Sequence, residues 1–229
     1  EVRVVRDIPA LREEMAALRN VTYLNWGGSG PSPKRVVDAE IRAIHALNDE
    51  HGPMSVTALA YAAGQLARAR KALAQLLGCE AAEIALVEST SAAINRVAWG
   101  INWQPGDEVI ISDVEHISGI APWVHLERLK GIRMIAVPSD EGRLDAQRVL
   151  DHVTSRTRLV LLSHISYVSG APVPVAELAQ EADARGFWLV VDGAQSAGAI
   201  PVHLNDLGVH AYALPGQKWL LGPDGTGAL

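Results

Sequence analysis

Along most of the chain, short uninterrupted apolar runs alternate with longer stretches in which apolar residues recur every three or four positions. The short runs lie at 84–87, 109–112, 133–137, 159–163, 188–191 and 211–214. A run apolar at consecutive positions, rather than at every second one, is the pattern of a strand covered on both faces. Between the runs, 92–101, 122–130, 145–153 and 175–185 carry helical spacing. Upstream, 34–47 follows Pro31-Ser32-Pro33 and places Val37, Ile41, Ile44 and Leu47 on one face. A longer Ala-rich helix over 54–77 carries Leu59, Leu66, Leu73 and Leu77 and is closed by Gly78. Strand and helix alternating at this spacing predict an α/β fold with a mostly parallel open sheet flanked by helices. Neither a Pro/Ser/Gly linker nor a repeat of solenoid length divides the chain. An N-terminal arm over 1–20 and one large domain over 21–229 are expected, and Leu229, opening what reads as a strand, suggests that the domain and a small C-terminal domain continue beyond it.

Composition narrows the partners. With 229 residues, 48% hydrophobic and 20% charged, the chain can bury a core. Lys+Arg 20 against Asp+Glu 26 give a formal charge of -6, with no basic stretch to follow a phosphate backbone, so no nucleic-acid partner is expected. No apolar run approaches the roughly 20 residues of a bilayer crossing, and 1–7 lacks the pattern of a signal peptide. The single cysteine, Cys79, excludes an internal disulfide. No membrane association and a cytoplasmic location are the expectation.

In an open parallel sheet, ligands collect at the carboxyl ends of the strands, and the turns there carry the candidate chemistry. Glu88-Ser89-Thr90-Ser91-Ala92 leads from an apolar run into a helix, and its hydroxyls and free N–H groups form either a phosphate cup or an ordinary Ser/Thr cap. Asp192 closes the run 188–191 and precedes Gly193-Ala194, so it is either a buried carboxylate awaiting a cation or a helix cap. Of the four lysines, Lys218 alone has apolar neighbours. It reads as an amine that loses its proton easily or as a snorkelling side chain. Glu115-His116 follows the run 109–112, His116 being a catalytic candidate or a structural imidazole. No histidine has metal-ligand spacing to another or to Cys79, and no metal site is expected. A phosphate cup, a buried carboxylate and an apolar lysine, in that order on successive strand ends, fit pyridoxal 5'-phosphate, which needs all three.

The ordered segments Tyr23-Leu-Asn-Trp-Gly-Gly-Ser-Gly-Pro, Ser89-Thr-Ser-Ala-Ala-Ile-Asn, Glu115-His116, Ser163-His-Ile-Ser-Tyr-Val-Ser-Gly, Val191-Asp-Gly-Ala-Gln and Gln217-Lys218-Trp219 resemble the class V aminotransferase family of fold-type I pyridoxal phosphate enzymes. That family includes cysteine desulfurases, selenocysteine lyases, isopenicillin N epimerase-like proteins and cysteine/cystine carbon-sulfur lyases. The last are nearest, on His51-Gly-Pro-Met-Ser, on Trp99 through Glu108, and on Lys218-Trp219. The resemblance implies Lys218 as Schiff-base lysine and acid/base, Asp192 as partner of the pyridinium nitrogen, and His116 stacked on the ring. It further implies Gln195 at the ring hydroxyl, with Thr90, Ser91 and the Ala92 N–H on the phosphate. Asn25 and Tyr167 would lie near the substrate. Three positions depart from the family pattern. Pro215 and Gln217 stand where many relatives carry phosphate-binding Ser or Thr and His, and Tyr167 stands where desulfurases carry Asn.

The implied function is pyridoxal phosphate-dependent cleavage of the carbon-sulfur bond of cysteine, cystine or a related sulfur amino acid. Alternatives are a desulfurase that passes persulfide to a cysteine, a class V aminotransferase, an amino-acid epimerase, and a cofactor-binding relative without turnover. The resemblance also implies a homodimer, and Trp26, Trp99, Trp103 and Trp123 are expected along its boundary.

Overall fold

The computed structural model describes residues 7–229, so positions 1–6 of the expected arm lie outside the described residues. Helix α1 (Ile8–Glu14) and a 3-10 turn (Ala16–Arg19) precede α2 (Lys34–His45) and α3 (Val56–Leu77). There follow β1 (Leu86–Val87), α4 (Thr90–Gly100), β2 (Glu108–Ser112), α5 (Ile117–Lys130) and β3 (Arg133–Val137). The chain continues through α6 (Ala146–Leu150), β4 (Thr157–Ser163), α7 (Val175–Arg185), β5 (Trp188–Asp192), α8 (Leu204–Leu207), β6 (Ala211–Pro215) and β7 (Gly227–Ala228).

The strands form one seven-stranded sheet in the order β1-β7-β6-β5-β4-β2-β3. Strands β6, β5, β4, β2 and β3 run parallel, while β7 lies antiparallel to both β1 and β6. The mostly parallel open sheet is therefore as expected.

The burial of successive strand residues explains the continuous apolar runs. Val160 and Leu162 of β4 pack into one core with α6 and α7, whereas Leu159 and Leu161 pack into a second core with α4 and α5. Strand β5 divides in the same way, Leu189 and Val191 to the first core and Val190 to the second. Alternate side chains thus meet helices on opposite faces, and from Leu159 and Leu189 onward no position of the two strands faces water, only Arg158 and Trp188 near their starts being exposed.

Several expectations are corrected. Trp103 and Trp123 are 6% and 0% exposed and meet edge to face with ring centroids 6.0 Å apart, so they are core residues rather than boundary ones. Helix α5 begins at Ile117, not at Pro122, because His116 caps it. Pro122 then sits within the helix, leaving the carbonyl of Ser118 without its helical N–H partner. Strand β1 is shorter than expected, and Ala85 extends its pairing by exchanging two 2.8 Å backbone hydrogen bonds with Leu229. Helix α6 ends at Leu150, three residues short.

Candidate active site

The parallel strands aim their carboxyl ends at one side of the sheet, and a cavity of about 740 Å3 opens there. It is lined from five strand-end turns at once, those after β1, β2, β4, β5 and β6, and from the Asn25–Gly28 segment.

At the start of α4, Ser89 adopts an extended conformation and its Oγ accepts the N–H of Ala92 at 3.1 Å. The Ala92 N–H, expected on a phosphate, is engaged by this cap. The N–H groups of Thr90 and Ser91, which helix geometry leaves free, are the ones facing outward at the positive end of the dipole. Both residues line the cavity, and the Oγ1 of Thr90 is buried with no hydrogen-bond partner.

Asp192 ends β5 at 4% exposure. One carboxylate oxygen, Oδ1, accepts the N–H of Ala194 at 2.8 Å, while among the described residues no hydrogen bond reaches Oδ2. Burial pushes the carboxyl above its ordinary range, and the Ala194 N–H with the charges of Lys218 and His116 pull it back. Lys218 sits half-buried just past β6, and burial lowers its ammonium pKa against the opposing pull of Asp192. The apolar setting inferred for Lys218 thus has its electrostatic consequence.

His116 is the N-cap of α5. Its Nδ1 accepts the Ser118 N–H at 3.2 Å and lies 2.7 Å from the Ser118 hydroxyl, so Nε2 carries the proton in the neutral ring. The Tyr167 ring stands edge-on to it at 5.2 Å. Gln195 uses both ends of its amide, donating from Nε2 to the Gly27 carbonyl and accepting the Trp219 indole N–H at Oε1, each at 2.9 Å. Asn25 folds over Gly28, whose absent Cβ would sit 2.6 Å from its Nδ2. Gln217 lines the cavity with its Oε1 buried and without a donor.

Lys218, Asp192, His116, Thr90, Ser91, Gln195, Gln217, Asn25 and Tyr167 therefore share one cavity. Sequence reasoning missed Ser163, Ser118 and Trp219 as parts of it. It also missed the second layer: Glu115, 5% exposed, ties the β2 turn to the end of β4 through Ser112 and Ser163. The available signal was a polar residue closing an apolar run, which marked Asp192 and applies equally to Ser112 and Ser163.

A family model described as aminotransferase class-V matches residues 22–229. A probable cysteine desulfurase of Methanothermobacter thermautotrophicus is 36% identical over 227 residues, a match that covers 99% of this chain and 55% of the relative. Among solved structures, a C-DES lysine-to-alanine mutant with glycine covalently linked to its PLP cofactor superposes with a TM-score of 0.90 at 32% identity, covering 95% of this chain and 58% of that one. A complex of the cystine C-S lyase C-DES with its reaction product cysteine persulfide superposes with a TM-score of 0.87, also at 32% identity, over 93% and 58%. The chain thus spans little more than half the length of the relatives it matches.

Proposed function

Because the chain belongs to the class V aminotransferase family, we propose that its strand-end cavity holds pyridoxal 5'-phosphate and serves carbon-sulfur cleavage of cysteine, cystine or a related sulfur amino acid. The observation that carries this reading is the convergence of Lys218, Asp192 and the α4 N-terminus on one cavity.

The residues fit the cofactor. A buried carboxylate with one oxygen open is stabilised by a cation, and a protonated ring nitrogen supplies one to Asp192. Thr90 Oγ1 and Gln217 Oε1 are buried polar atoms without partners, and a phosphate beside them gives each a role. The Thr90 hydroxyl donates to it directly, and the Gln217 amide does so once rotated to lead with Nε2. Thr90 and Ser91 add their backbone N–H groups at the positive end of the α4 dipole.

When bound, the cofactor supplies an electron sink for the substrate's α-carbon. The chain's own residues manage charge and protons around it. Lys218, whose burial favours the neutral amine, accepts the α-proton at Nζ and returns it. Asp192 would hold negative charge for the ring nitrogen, and His116, held by Ser118, would stack on the ring. Asn25 and Tyr167 line the cavity where the amino acid is received. The electron pair left at Cα would then form the Cα–Cβ double bond as the Cβ–S bond breaks, and the sulfur would leave with that bond's pair as a thiolate or persulfide anion that takes the proton from Nζ. Cys79 is set apart from this cavity: it lines a separate one with Ile84 and Leu229, and burial, with the charges of Glu83 and Glu80, pushes its thiol up, which disfavours the thiolate a persulfide acceptor needs.

A homodimer in the cytoplasm completes the reading. Helix α2 buries none of its residues, yet Val37, Ile41 and Ile44 on one face are 41%, 49% and 60% exposed, an apolar stripe that needs a cover. Among the described residues, no helix is long and apolar enough to cross a membrane.

The test is borohydride reduction of the cofactor-loaded protein, followed by peptide mapping, with sulfide and pyruvate release from cysteine and cystine assayed in parallel. Label on Lys218 with product release is the expected result. A label on another lysine overturns the site, and a correctly labelled protein inert toward sulfur amino acids overturns the substrate class.

A further inference from the structure

Trp219 directly follows Lys218, and its indole reaches the turn after β5. There its Nε1–H donates to Gln195 Oε1 at 2.9 Å, while Gln195 Nε2 donates to the Gly27 carbonyl at 2.9 Å. An indole can only donate and a carbonyl can only accept, so these two partners fix which end of the Gln195 amide is which. One hydrogen remains unengaged, the second on Nε2, and it belongs to a side chain that lines the cavity.

The chain of contacts is held at both ends by close backbone packing. A Cβ on Gly198 would lie 2.8 Å from the carbonyl carbon and oxygen of Trp219, and one on Gly27 would lie 3.0 Å from Gln195 Oε1. On the other side of the lysine, the Gly30 N–H donates to the Gln217 carbonyl at 2.7 Å. The Trp219 backbone therefore has little room to shift, and its indole is a fixed donor.

We propose that Trp219 is a positioning residue that locks the Gln195 amide with its N–H, rather than its carbonyl, turned to the cofactor's ring oxygen. The inference rests on the cofactor reading above. Without the indole, Oε1 loses its donor and only the Gly27 carbonyl still holds the amide, which can then swing and carry its free N–H away from that oxygen. A donor to the ring oxygen stabilises the form of the chromophore from which a proton has been lost. Losing that donor therefore moves the chromophore's titration to higher pH.

The experiment is an absorbance pH titration of the cofactor-loaded protein and of Trp219→Phe, Gln195→Leu and the double variant, with cofactor dissociation followed by fluorescence. Phenylalanine keeps an aromatic ring, smaller than the indole, and removes the donor. The expected result is an upward shift of the midpoint by about half to one pH unit in Trp219→Phe, the size of one lost hydrogen bond. Because Trp219 acts only through Gln195, the double variant should shift no more than Gln195→Leu alone. A wild-type midpoint in Trp219→Phe, or additive shifts in the double variant, overturns the proposal while leaving the cofactor reading intact. Failure of the unaltered protein to take up the cofactor at all is the separate outcome that removes the reading beneath it.

Discussion

Ser163 donates both its backbone N–H, at 3.0 Å, and its hydroxyl, at 2.5 Å, to a single oxygen of Glu115. The other oxygen accepts the Ser112 hydroxyl at 2.6 Å. Ser163 is also paired in register with Asp192 across β4 and β5. A carboxylate that contacts no ligand thus links the turn bearing His116 to the strand end bearing Asp192. Burial pushes the Glu115 carboxyl up against three hydrogen bonds that pull it down, and the charge of Asp192 adds to the upward push.

Removing that link should be costly. In Glu115→Ala two hydroxyls and one N–H lose their acceptor in a buried site, and we expect a loss of about 2–5 kcal/mol in urea denaturation. Glu115→Gln, which can accept from Ser163 at Oε1 and donate to Ser112 from Nε2, should lose much less. Equal losses in the two variants would show that the carboxylate itself, which both remove, governs the effect rather than the number of hydrogen bonds.

The buried phenol of Tyr212 gives a pH prediction. Burial first, with Asp192 adding to it and the Ser196 hydrogen bond opposing, pushes its pKa from 10.0 to about 12. Between those values the unfolded chain has released a proton that the native state keeps. Stability should therefore fall as pH rises through the window, by up to about 1.4 kcal/mol per unit. Denaturation at successive pH values should show this slope in the protein and a flatter one in Tyr212→Phe.

Gly193 has no room for a side chain, since a Cβ there would sit 2.0 Å from Cε1 of Tyr212. Gly193→Ala should lower stability by about 3 kcal/mol. It should also weaken cofactor uptake, because it displaces the turn that carries Asp192. Calorimetry and equilibrium dialysis measure the two, and unchanged uptake would separate the turn from the site.

Thr90→Val should change stability and binding in opposite directions. Its Oγ1 is buried without a partner, so the isosteric methyl should leave the cofactor-free protein as stable or more stable by about 1 kcal/mol. Cofactor affinity should fall by about tenfold, one hydrogen bond to a charged group. A loss of stability without the cofactor would mean that the hydroxyl has a structural partner.

For Asp192→Asn, retained cofactor with α-proton exchange slowed by on the order of a hundredfold or more is expected, because the amide keeps the turn but not the charge. Deuterium exchange at the substrate α-carbon reads this step directly. Near-normal exchange would reduce Asp192 to a cap for the turn at Ala194.

What the sequence determined by itself was whatever depends on neighbours along the chain. The apolar run 159–163 could be read as a doubly covered strand because side chains alternate between faces, so burial on both sides leaves no polar position. Lys218 stood out for the same reason, its surroundings being supplied by residues on either side of it. Asp192 was legible as a charge ending an apolar strand. The tertiary structure alone decided which strand lies beside which, because the order β1-β7-β6-β5-β4-β2-β3 arises from crossovers that leave no local mark. It decided that Trp103 and Trp123 face each other in the core, since neither the Asn102–Gln104 nor the Pro122–Val124 setting says which way an indole turns. It also decided the role of Glu115, whose partner Ser163 is 48 residues away, and the orientation of Gln195, set by Gly27 and Trp219 from opposite ends of the chain. Secondary structure follows from periodicity over a few residues, whereas the direction of a hydrogen bond and the charge state of a buried group follow from whatever folding brings alongside.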